Sequence, residues 1–206
     1  MNIIDSNLRF TEPLQPLTAP DLLILHHEAA FSATVEQIHD FHIKSRGWSG
    51  IAYHLYVRKD GSVYRGRPID RRGAHTSNYN SRSVGICCEG NFETEKMSNR
   101  QYDALCEAIA YVQSVYPGLR IIGHREVGAT ACPGKFFPLE EVKKDMRRFK
   151  TIEEVPAALR PETQQLIASG ALSGKGGDAG LDVTEDMLRT LIIAKRYADK
   201  VAADGR

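Results

Sequence analysis

The stretch Ile121–Gly134, IIGHREVGATACPG, carries a short apolar run, then His124, then Cys132 eight positions later, followed by Pro133-Gly134. The apolar run reads as a strand and the rest as a loop, where functional side chains are commonly held. An imidazole and a thiol on one loop are two metal ligands of intermediate softness. A second imidazole from elsewhere makes three, the number that leaves a fourth tetrahedral position open on a catalytic zinc ion. The pair His26-His27, at the end of the run Asp21–His27 (DLLILHH), is the natural source. Side chains alternate along a strand, so only one of these rings faces a given site, and alternation alone does not say which.

Working outward, strands and helices alternate. DLLILHH is a buried strand, and Thr34 caps a helix that runs through Val35, Ile38, Phe41 and His42 to Gly47. Tyr53–Val57 and Ser62–Tyr64 flank a Lys-Asp-Gly turn and predict a hairpin. SVGICCEG is a second buried strand. Ser98 opens an amphipathic helix with Tyr102, Leu105, Ile109 and Val112 on one face, stopped by Pro117-Gly118. Arg120–Gly123 is a short strand, and Pro138 opens a helix through Val142 and Met146. The pattern predicts an α/β domain over residues 1–150, with a mixed central sheet covered by helices.

Residues 151–206 differ in character. Pro156 and Pro161 punctuate a linker, GALSGKGGDAG is a glycine-rich turn region, and Thr184 caps a helix continuing through Val201. Two helices, near 161–170 and 184–202, form a small helical segment. It is marginal for an independent core, so it is expected to pack on the first domain, target the cell wall or self-associate.

The 206 residues are 42% hydrophobic and 26% charged with a net charge of +1, which suits a globular enzyme and argues against a nucleic-acid or membrane-surface binder. The apolar run Leu22–Leu25 is too short for a signal-peptide core or a membrane span. The chain is therefore expected to be made in the cytoplasm without a signal peptide, and not to insert in a membrane. Cys87, Cys88 and Cys106 lie in apolar patterns and read as small buried thiols. Cys132 stands apart in its loop.

The remaining candidates are weaker. His27-Glu28 begins a metalloprotease-like HExxH, but Phe31 stands where the second histidine belongs. His39 and His42, three apart on a helix, read as surface and packing residues. Tyr53 and His54 point to opposite faces, so one of them can face the site. His75, in the loop GAHTSNYN, is a candidate for the cleft, whereas Arg65, Arg67, Arg71 and Arg72 read as a solvated loop face.

Four strings, LILHHEAA, GWSGIAYHLYVRKDGSVYRGRP, GAHTSNYNSRSVGICCEGNF and GHREVGATACPGKFFP, resemble the zinc-dependent N-acetylmuramoyl-L-alanine amidases of the amidase-2 group. That group includes peptidoglycan recognition proteins and many phage endolysins. The resemblance covers about residues 20–148 in order. It implies one zinc held by His26, His124 and Cys132, with Tyr53 and Thr130 catalytic and His75 and Asn80 on the substrate. Some phage members have a lysine where this chain has Thr130; catalytic recognition proteins share the threonine. Cytoplasmic recycling amidases use an aspartate as third ligand and a strand glutamate, against Cys132 and Cys87 here.

The resemblance also implies peptidoglycan as partner and the bond between N-acetylmuramic acid and L-alanine as target. Zinc would activate water and polarise the amide carbonyl. A phage or prophage endolysin, reaching the wall through holin-type export, fits a chain without a leader. The alternatives are a bacterial autolysin and a non-catalytic peptidoglycan-binding module. Members of the latter kind typically lack the cysteine ligand, which makes Cys132 the discriminating residue.

Overall fold

The structure is a computed structural model describing residues 2–30, 32–146, 148–149, 151–172, 181 and 183–204. The chain divides into two compact units, Met1–Glu140 and Glu141–Arg206.

The first unit is built on a six-stranded sheet. In chain order its strands are β1 (Ile3–Asp5), β2 (Leu22–His27), β3 (Leu55–Val57), β4 (Val63–Arg65), β5 (Ser83–Cys88) and β6 (Arg120–Gly123). They lie in the spatial order β1-β4-β3-β5-β2-β6. Only β3 and β4 pair antiparallel; every other neighbouring pair is parallel. β2 and β5 are central and buried along their whole length. Strands paired on both sides and covered on both faces need near-continuous apolar sequence, which LLIL and SVGICC supply. β1 has no strong sequence signal; it forms by pairing parallel to β4 at the sheet edge.

The caps behave as their residues require. α1 (Val35–Arg46) begins with a capping box between Thr34 and Gln37 and ends at Gly47 in the left-handed region, φ 66°, a conformation glycine adopts without a Cβ penalty. α2 (Asn99–Val115) is capped by Ser98 and buries Ala104, Leu105, Ala108, Ile109 and Val112, the helical stripe expected of a core-facing helix. In the β3–β4 turn Gly61 takes φ 80°, and the Gly61 N–H donates to the Arg58 carbonyl at 3.0 Å.

A buried ion pair pins the end of β5. Glu89, 3% exposed, accepts from Arg58 Nε at 3.0 Å, Arg58 Nη2 at 3.1 Å, the Lys59 N–H at 2.9 Å and Ser32 Oγ at 2.9 Å. Burial alone would push its carboxyl up, but these donors outweigh it and hold the group below its ordinary value. Removing one partner of such a pair leaves a buried charge uncompensated. Glu89→Ala is expected to cost about 3 kcal/mol, lowering Tm by roughly 6–12 °C. Because the folded pKa is depressed, the contribution is complete above the unfolded value near 4.3 and fades as pH falls through the folded value. Thermal melts of both proteins at pH 7 and pH 3 check this; an equal gap at both would refute an ionic origin.

The second unit holds α3 (Leu139–Asp145) across its boundary, then β7 (Arg148–Phe149), α4 (Arg160–Ala168), β8 (Val183–Thr184) and α5 (Glu185–Asp204). The expected boundary at 150 shifts to 140, because Arg148–Phe149 pairs antiparallel with Val183–Thr184. Phe149, Val155, Leu159, Leu166, Leu181, Val183, Leu188 and Ile192 bury into one cluster, so this segment has a core of its own. The Thr184 hydroxyl accepts from the Met187 N–H at 3.3 Å, the expected cap. Most of the glycine-rich stretch lies outside the described residues. Ile193, Tyr197 and Val201 form an exposed apolar stripe on α5. No helix among the described residues is long and apolar enough to cross a membrane.

Candidate metal centre and active site

Parallel pairing of β2 with β6 builds the site. Leu25 stands opposite Gly123, so the next residues of the two segments come side by side at one end of the sheet: His26, still paired with Cys87 of β5, and His124, the first residue past β6. This is the carboxyl end of parallel strands, where open α/β sheets place their ligands. His124 begins a 3-10 turn (His124–Glu126), and the Glu126 carboxylate accepts from the Gly123 N–H at 2.6 Å.

The loop then closes on itself. The Arg125 N–H donates to the Cys132 carbonyl at 2.7 Å, and Arg125 Nη1 donates to the Gly134 carbonyl at 2.9 Å. The Cys132 N–H donates to Thr130 Oγ1 at 3.2 Å. The Cys132–Pro133 bond is cis. Gly134 has φ 102°, and a Cβ there would lie 2.4 Å from the Phe92 carbonyl carbon. Glycine is therefore required where this loop passes Phe92.

His26, His124 and Cys132 converge, with one ligand atom from each all within 4.8 Å of one another. Cys132 Sγ lies 3.6 Å from His26 Nδ1; zinc–sulfur and zinc–nitrogen bonds at a tetrahedral angle set that separation at about 3.6 Å. The His27 N–H donates to Cys132 Sγ at 3.4 Å. Burial drives His26 well below its ordinary pKa, with His75 and His124 adding to the effect, and burial also lowers His124. Both rings are thus neutral near pH 7, with a lone pair to give. Burial pushes the Cys132 thiol up to about 11, against the pull of the His27 N–H and Arg125. A thiol in that state becomes a thiolate only beside a cation, and a bound metal deprotonates it. The donor set and spacing fit zinc.

Between the paired histidines the sheet decides. His26 is 1% exposed and faces the cluster. His27 points the other way, its Nδ1 accepting from the Phe92 N–H at 3.1 Å. Tyr53 and His54 also part, although the expected strand from Tyr53 begins only at Leu55. The Tyr53 ring lies 5.2 Å from that of His26. His54 is fully buried behind it, accepting from the Gly85 N–H at 2.9 Å and donating to the Arg71 carbonyl at 2.7 Å. Burial, with Cys87 and Cys132 nearby, holds the Tyr53 phenol well above its ordinary pKa, so it is a donor at neutral pH.

The other expected residues fall in less direct places. Thr130 is exposed on the ligand loop, its oxygen engaged by Cys132. Asn80 Oδ1 accepts from the Thr76 N–H at 2.9 Å and so shapes the loop that carries His75. His75 is 7% exposed and sits behind His26 rather than on an open surface.

Three expectations are corrected. Arg67 is buried, not solvated: its guanidinium donates to the carbonyls of Ile51 and Arg72 and to Ser49 Oγ, which satisfies the charge without water. His39 and His42 are buried rather than at the surface, because their Nδ1 atoms accept from the Ile51 and Ala52 N–H groups. Cys106 is half-buried, while Cys87 and Cys88 are buried and free as expected. Beside Tyr53 lies a cavity of about 320 Å³ walled by Glu28, Ala33, Ile38, Phe41 and His42. Glu28 was hidden in the sequence by its look as a false HExxH. Its place follows from Tyr56, whose hydroxyl donates to Glu28 Oε2 at 2.7 Å.

Comparison with known proteins places these features. Residues 16–135 match the Amidase_2 family, described as N-acetylmuramoyl-L-alanine amidase. The chain is 37% identical over 123 residues to peptidoglycan-recognition protein SC2 of Drosophila melanogaster, covering 54% of this chain and 66% of that protein. It is 33% identical over 111 residues to an endolysin of Enterobacteria phage K11, covering 52% of this chain and 73% of that one. Among solved structures it resembles the endolysin N-acetylmuramoyl-L-alanine amidase LysCS from Clostridium intestinale, with 39% identity and a TM-score of 0.66, over 69% of this chain and 93% of that one. The chain thus spans just under two thirds of the first of these relatives.

Proposed function

Because this chain belongs to the N-acetylmuramoyl-L-alanine amidase family, we propose that it is a zinc-dependent hydrolase of peptidoglycan, cutting the amide between N-acetylmuramic acid and L-alanine. The convergence of His26, His124 and Cys132 carries this reading. Bound there, zinc supplies water activation and polarisation of the amide carbonyl. Tyr53 faces the same space from across His26, and its protonated phenol donates to the oxyanion that develops on the attacked carbonyl. Thr130 Oγ1 already accepts from the Cys132 N–H, which leaves the Thr130 proton to serve the same oxyanion. The departing amine needs a proton. That proton comes from the attacking water; Tyr53 is placed to relay it, giving its own to the amine as it regains the water's and ending protonated, whereas both His75 nitrogens face protein partners. The cavity beside Tyr53 offers a largely apolar recess for part of the substrate.

The biological reading is a lytic enzyme, an endolysin, made in the cytoplasm and acting on the cell wall after release. Support comes from the phage endolysin relative. The test is digestion of purified peptidoglycan. Expected products are new L-alanine amino termini with no new reducing ends, lost in a strong chelator and restored by zinc. Release that continues undiminished in chelator would remove zinc from the mechanism. Wall binding without any release of amino termini would make the chain a recognition module instead.

A further inference from the structure

The two nitrogens of His26 look in opposite directions. Nδ1 faces Cys132 Sγ at 3.6 Å, and Nε2 lies 3.0 Å from Nδ1 of His75. On this geometry, and resting on the zinc reading above, we propose that His75 is the positioning residue of the metal centre. It accepts from the His26 Nε2–H, and so fixes the tautomer and ring angle that aim the Nδ1 lone pair at the metal.

The hydrogen-bond chain runs one way. The Ser83 hydroxyl donates to the Tyr79 carbonyl at 2.7 Å, so toward His75 Nε2, 3.5 Å away, it offers only lone pairs. His75 therefore carries its proton on Nε2 and presents Nδ1 as an acceptor. Thr76 Oγ1 stands 3.0 Å from His75 Nδ1 and 3.4 Å from His26 Nε2, beside the same hydrogen bond and able to accept from the His26 Nε2–H as well. The reverse His75 tautomer would set one N–H against another and leave a buried donor unmatched. A ligating imidazole whose outer N–H is held this way is oriented and made more basic.

The fold also makes room for this ring in particular. A Cβ at Gly73 would lie 2.4 Å from His75 Cδ2, and one at Gly85 would lie 2.6 Å from the same atom. Glycine on both sides, one of them in the central strand β5 where it weakens the ladder, keeps open a slot of imidazole thickness. His54 closes the far side, its ring 5.8 Å away and its Nδ1 already engaged by the Gly85 N–H. The slot is buried, and the ring in it reaches His26 through Nδ1.

The test uses the full chain, stripped of metal and reloaded with zinc, as wild type, His75→Ala and His75→Asn. Zinc affinity is measured by competition with a chromophoric chelator, alongside the melting temperature of each metal-free protein. Asparagine places an amide oxygen where Nδ1 stands and keeps the acceptor; alanine does not. Alanine is expected to weaken zinc binding roughly 10–100-fold, with asparagine within a few-fold of wild type. The visible spectrum of the cobalt(II) form is expected to change with alanine and not with asparagine. Nitrogen-15 NMR of the zinc-loaded wild type is expected to show His26 and His75 both protonated at Nε2. Wild-type affinity in the alanine variant, an asparagine variant as weak as alanine, or a His75 proton on Nδ1 would each overturn the proposal. If the alanine variant does not fold, the asparagine affinity and the wild-type tautomers decide it. A wild type that takes up no zinc would instead overturn the functional reading on which the proposal rests.

Discussion

Replacing Cys132 with alanine is expected to abolish hydrolysis, with a fall of at least about 10³-fold, and to remove stoichiometric zinc. The size follows from what zinc would supply when bound: it would lower the pKa of its water to about 7, which a thiol-free site would lose. Cys132 is the only one of the three ligands that brings a negative charge. It is also held at the end of a loop whose shape is set by Arg125 and Thr130 rather than by the thiol. The variant should therefore fold, with a circular dichroism spectrum like that of the wild type. Cys132→Ser keeps a small polar atom but loses the soft thiolate, and is expected to hold zinc weakly and turn over slowly. Activity per milligram, measured with zinc content on the same sample, checks both. Retention of more than a tenth of wild-type activity in the alanine variant would mean that catalysis does not run through this centre.

Tyr53→Phe is expected to lower kcat by about 10²–10³-fold, the cost of removing one oxyanion donor, while KM and zinc content stay close to wild type. The separation follows from the geometry. The ring packs 5.2 Å from His26 and 5.9 Å from His42, and phenylalanine preserves both contacts while deleting the hydroxyl. Because burial keeps the phenol protonated, the loss should persist across pH 6–9 rather than appear on one limb of the profile. A rate within a few-fold of wild type would strip Tyr53 of its donor role. Zinc lost in parallel with activity would reduce it to a packing residue.

Much of the first unit is legible without coordinates, because its signals are local. Thr34, Gly47 and Ser98 are capping residues whose chemistry acts over one turn. LLILHH and SVGICC are apolar because a strand paired on both sides has no solvent face. β1 and the β7–β8 ladder are not legible, since three- and two-residue strands exist only through their partners. Arg67 is buried where its sequence context predicts a solvated face, because no sequence pattern reports which carbonyls will surround a guanidinium. The same limit hid the cavity wall: Glu28, Ile38 and His42 meet Tyr53 only when α1 packs beside the sheet.

For the site, residue type was enough to nominate the chemistry. Two imidazoles and one thiol are a zinc donor set wherever they meet, and His124 and Cys132 share a loop short enough to bring them together. The resemblance names His26 and Tyr53 among their neighbours; the physical reason for the choice lies in the tertiary structure. His26 prevails over His27 because strand alternation sends adjacent side chains to opposite faces and the sheet's surroundings say which face holds the cluster; Tyr53 prevails over His54, both just ahead of β3, because His54 is tied to Gly85 and Arg71. His75 moves from a presumed cleft residue to a buried neighbour of His26 because Gly73 and Gly85 leave a slot there. The sequence determined which groups are available; the parallel register of β2 with β6, set by pairing across about a hundred residues, decided which of them touch.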